Sequence, residues 1–162
     1  LKVNGGIMLV MKSQTLKSKI FFLFSLFFSL LVFKLTTGYM ALATMTYCFL
    51  IYGIFFVADR KTHRLVMMTS ITMDILLVLF LELSRQAIKT TVSNELNIFQ
   101  LGHVLSSTIA IVFYLITAYY GHKAFNGQAV GKIHIKLGWL AFIFRSVGFV
   151  LMFSLIEKVT VS

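Results

Sequence analysis

A chain of 162 residues that is 59% hydrophobic and 12% charged, with mean hydropathy +0.92, has more apolar surface than one soluble domain of that length can bury. A soluble enzyme and a disordered chain are both excluded, and the surplus must face lipid. The net charge of +10 does not point to nucleic acid, because Lys and Arg lie between the apolar runs, as they do in the cytoplasmic loops of helical membrane proteins.

A bilayer core takes about twenty apolar residues per helix. Five segments approach or reach that length: Ile20 to Phe33, Tyr39 to Val57, Leu65 to Leu83, Ile98 to Tyr120 and Leu137 to Ile156. They predict an all-α, polytopic transmembrane bundle, a four-helix core preceded by an anchor helix. Residues 1–19 form a cytoplasmic segment, partly unstructured up to residue 18, and 157–162 an outer tail. The first run is short enough to resemble the apolar region of a signal peptide. The Ala41 to Ala43 triplet that would serve as its cleavage site lies inside the second run, so an uncleaved anchor is expected. With no proline in the chain, the helices should be fairly straight. One cysteine, Cys48, rules out an intrachain disulfide and leaves histidine and carboxylate as the metal-binding residue types.

Orientation follows from the basic residues. The segment before the first helix, the stretch Ala58 to Arg64 and the stretch Gly121 to Lys136 carry ten Lys and Arg together, against four on the opposite side. The positive-inside rule then places the N-terminus in the cytoplasm and the C-terminus outside.

Two ionisable residues fall deep inside apolar runs, where charge is expensive: Asp74 and Arg145. Each lies eleven residues after a histidine, His63 and His134 respectively. Eleven helical steps return to within about 20° of the starting face, about 16 Å further along. The two charges should therefore share a depth near the bilayer centre and form an intramembrane ion pair. That pair serves helix register, a proton path or a charged ligand.

His63, His122 and His134 fall at helix ends on one side, and His103 lies about one turn into the fourth helix. Imidazoles on facing helices suit copper, zinc or haem iron. His103 should face the interior, with Ser106, Ser107 and Ala110 permitting close helix approach. Glu82 lies at a comparable depth, which makes an outer pairing with His103 geometrically open.

From Asp59 to Ile156 the succession DRKTHRLVMM, LGHVLSSTIAIVFYLITAYYGHKAF and HIKLGWLAFIFRSVG resembles the small bacterial family of four-helix membrane proteins typified by CtaM and YozB. The shared features are a basic K-x-H with Met four residues on, a His early in the next helix, and H-x-K-L-G opening the last. The resemblance covers the last four helices. It implies a non-enzymatic part in maturation of a haem-copper terminal oxidase in the bacterial inner membrane, with His63, His103 and His134 as ligands of haem or a metal such as copper, and no catalytic residues. A respiratory oxidase and the bilayer are the implied partners, and nucleic acid is not one. The alternative is a one-haem b-type cytochrome or a subunit of a respiratory complex, for which His63 and His134 have matched depth.

Overall fold

The computed structural model describes residues 3–57, 59–85 and 97–153, with side chains from 16 to 57, 59 to 81 and 97 to 153. Among the described residues the protein is all-helical, with five helices: α1 (Val3–Leu35), α2 (Gly38–Phe55), α3 (Arg60–Arg85), α4 (Ile98–Phe125) and α5 (Gly131–Met152). All five contain stretches long and apolar enough to cross a membrane. The chain divides into two units, residues 1–70 and 71–162, with the division falling within α3.

Helices outlast the apolar runs that announce them. α1 begins at Val3 rather than near residue 20, so the expected partly unstructured segment is helical instead. α4 continues through Gly121, His122 and Lys123 to Phe125, and α5 starts six residues before Leu137. Polar residues such as Lys, His and Gln disfavour the bilayer core but not the helix itself, so the backbone hydrogen bonds run on into the interface. The Ala58 position, most of the stretch between α3 and α4, and the tail at 157–162 lie outside the described residues.

In the first unit, α1 and α2 are joined by Thr36 and Thr37 and run antiparallel. Thr37 caps α2, its hydroxyl accepting from the Met40 N–H at 3.4 Å. Ser18 Oγ and the Tyr52 hydroxyl are 2.7 Å apart, and Phe21 packs on Phe56 with ring centroids 4.7 Å apart. Hydroxyls inside the apolar stretches turn back on their own helices: Thr36 donates to Val32 O, Thr44 to Met40 O and Thr46 to Ala43 O. In lipid, where no water is present to satisfy them, this removes the cost of their burial. The start of α3 lies against α2, with Ser70 Oγ donating to Thr46 O at 2.8 Å. Asp59 caps α3, accepting from both the backbone N–H and the hydroxyl of Thr62. Those two bonds favour the carboxylate and hold its pKa below the ordinary 3.8.

In the second unit, α4 and α5 form a close antiparallel hairpin. α4 ends on a Schellman motif: Gln128 N–H donates to Lys123 O and Gly127 N–H to Ala124 O, with Gly127 at φ 83°. That backbone conformation suits a residue without Cβ, so Gly127→Ala should cost about 1 kcal/mol. A thermal melt in detergent should show the loss with no change in helix content.

Small residues set the hairpin spacing. A Cβ on Gly148 would lie 2.7 Å from Ser107 Oγ and 3.1 Å from Ser106 Oγ, and one on Gly121 would lie 2.9 Å from the His134 ring. Phe113 and Phe144 stack between these points, centroids 5.8 Å apart. Association between helices in lipid depends on such close packing, since burying apolar surface gains little there.

Candidate functional site

Arg145 Nη2 donates to Asp74 Oδ1 at 2.6 Å, joining α5 to the second half of α3. Each residue is 5% exposed. The hairpin register, with His103 against Gly148 and Phe113 against Phe144, brings Ala110 level with Arg145. Ala110 is fully buried. An isolated charge at this position would be strongly penalised, and the 2.6 Å contact is what makes two of them tolerable.

His103 bonds to α5 at Gly148, three residues and just under one helical turn beyond Arg145. Its Nδ1 lies 2.7 Å from Gly148 O, and both Asp74 and Arg145 are close enough to act on it electrostatically. The imidazole faces the partner helix, and Ser106 on the next turn is buried. Ser106 donates to Gly102 O at 2.7 Å, whereas Ser107 Oγ is buried with no hydrogen-bond partner among the described residues.

His134 lies in the first turn of α5, its Nδ1 3.1 Å from Thr117 O on α4. His63 lies in the first turn of α3, its Nδ1 2.8 Å from Gly53 O at the end of α2. That carbonyl belongs to the last turn of its helix, where intrahelical donors run out. All three histidines therefore meet a backbone carbonyl of a preceding or following helix through the same ring nitrogen. A carbonyl only accepts, so Nδ1 must carry the proton, and in the neutral ring Nε2 is the lone-pair nitrogen. Metal-ligating imidazoles are commonly held in this way, by a hydrogen bond from the nitrogen that does not bind the metal.

His122 differs. Its Nε2 is 3.1 Å from Asn126 Nδ2 on an exposed last turn of α4, so the same nitrogen is engaged locally. The side chain of Glu82 lies outside the described residues, and with it the outer pairing with His103. Among the described residues no three His, Cys, Asp or Glu side chains are gathered as a single metal ion requires.

The glycines were the part of the site that sequence reasoning did not single out. Gly53 and Gly148 supply the carbonyls that hold His63 and His103, and Gly121 lies under the His134 ring. The G-H pairs at Gly102 and His103 and at Gly121 and His122 are visible in the sequence, but the glycines that meet His63, His103 and His134 lie on other helices.

Comparison of the chain with protein-family models, curated proteins and solved structures finds no match.

Proposed function

We propose that this multi-pass membrane protein handles haem or a metal through the Nε2 atoms of His63, His103 and His134, and assists assembly of a respiratory terminal oxidase. The observation that carries the reading is the shared Nδ1-to-carbonyl hydrogen bond, which fixes one tautomer in all three rings and orients each Nε2 lone pair. Resemblance to the CtaM and YozB family supports the same three residues and the oxidase role. The excess of basic residues on one side supports a bacterial cytoplasmic membrane location with the N-terminus inside.

Haem is favoured over a single copper or zinc ion. A three-histidine ion site needs its donors within about 2 Å of one point, and no such group is present among the described residues. Haem needs only one or two axial imidazoles, and would supply one-electron chemistry or be passed onward as cargo. The protein's own part is to hold the rings, exclude water and set the local charge.

Protein purified in mild detergent from a respiring host tests this. A reversible reduced-minus-oxidised haem spectrum is expected, lost or shifted in His134→Ala, His103→Ala or His63→Ala variants that still insert. Near-stoichiometric copper or zinc without colour would replace haem by a metal ion. The absence of both, or equal binding in all three variants, would overturn the reading.

A further inference from the structure

Between α1 and α2 runs a groove of about 570 Å³, entirely within the first unit and walled by Phe21, Phe22 and Leu26 on one side and Met45, Phe49 and Tyr52 on the other. Its volume falls in the range of small-molecule sites. Lys19 and Ser18 stand at one end and Ser29 at the other. Two of the serines along it are satisfied, Ser18 by Tyr52 and Ser25 by Phe22 O. Ser29 is not: it is 9% exposed, and its Oγ has no hydrogen-bond partner among the described residues.

A hydroxyl buried in an apolar groove is costly unless something accepts its proton. Ten residues of helix separate Ser29 from Lys19, about 15 Å along the axis, which places that hydroxyl well inside the apolar span Leu16–Leu35. A phospholipid with its phosphate at Lys19 would present hydrocarbon at this depth, because its ester carbonyls stay near the interface. A ligand acceptor at this depth would belong to a neutral molecule that carries a carbonyl into the hydrocarbon. Aromatic walls favour a flat ring, and the exposed Phe22, Leu26 and Met45 leave one flank open for an apolar tail. We propose that the groove between α1 and α2 binds a quinone-class molecule, with the Ser29 hydroxyl donating to a ring carbonyl.

The test is photolabelling of the full chain, in phosphatidylcholine nanodiscs, with an azido-quinone bearing a decyl tail. Label is expected in peptides spanning 18–29 and 45–52, competed by decyl-ubiquinone. Loss of one hydrogen bond in Ser29→Ala should weaken binding about five- to tenfold, Ser29→Thr should retain it, and Met45→Trp should block labelling by filling the groove. Label confined to other peptides would overturn the assignment. So would unchanged affinity in Ser29→Ala and Met45→Trp, each shown by its thermal melt to be folded. Displacement of the label by phosphatidylglycerol at equal concentration would make the groove a phospholipid site instead. Should Met45→Trp not fold, Leu26→Trp tests the opposite wall.

Discussion

Asp74→Asn should lower stability by about 3–5 kcal/mol, because it leaves the Arg145 guanidinium buried without its counter-charge. Arg145→Gln should cost a similar amount by stranding the carboxylate. Both partners are almost wholly buried, and the contact between them is short and direct, so solvent does little to screen either loss. The double change Asp74→Asn with Arg145→Gln removes both charges and should recover a large part of the single losses, since two neutral amides can hydrogen-bond where one charge cannot be left alone. Unfolding of all four proteins in the same detergent gives the coupling energy. Strict additivity of the two single losses would mean that the residues do not act as a pair.

The second large effect is expected at the crossing of α4 and α5. Gly148→Val forces Cβ and two methyl groups into the space held by Ser106 and Ser107, where Cβ alone already lies at 2.7 and 3.1 Å from their hydroxyls. Overpacking of this kind costs about 1–3 kcal/mol. Its consequence goes beyond stability, because Gly148 also provides the carbonyl that holds His103. Separating the helices should lengthen that bond and release the ring, so His103 in Gly148→Val should exchange between tautomers, visible as broadened imidazole nitrogen resonances by NMR. Gly53→Ala is a useful contrast: its Cβ would lie 2.7 Å from Met67 Sδ and 3.2 Å from Val66 Cγ1, and since the methionine can swing aside while the β-branched valine is stiff, a smaller loss than in Gly148→Val is expected. An NMR spectrum of Gly148→Val with His103 still locked would show that Gly148 does not control that residue.

Much of the architecture was legible in the sequence because lipid imposes a simple rule: twenty apolar residues per crossing. The ion pair was legible for the same reason, since two charges at matching depth on different helices have few other ways to lower their cost, and the structure brings Asp74 and Arg145 together. Helix ends were not legible, because hydropathy marks where the bilayer stops and not where backbone hydrogen bonding stops. Hence the early start of α1 and the extension of α4 past His122. The acceptors for His63, His103 and His134 were also hidden. They are main-chain oxygens of Gly53, Gly148 and Thr117, and a backbone carbonyl leaves no trace in side-chain pattern. Ser29 was unreadable in another way. A serine in a membrane helix ordinarily bonds its own backbone, as Ser146 does to Phe142 O, and only its surroundings distinguish the exception.

The ion pair also sets an order of events during synthesis. Asp74 and Arg145 are 71 residues apart in the chain, so at ribosomal rates of about 5–20 residues per second the acid emerges roughly 4–14 s before its partner. For that interval α3 must enter the membrane carrying a carboxyl group with no guanidinium to meet it. An unpaired charge at that depth is expensive, so α3 is expected to wait at the insertion machinery until α5 arrives, and formation of the pair then fixes the second half of α3 against α5.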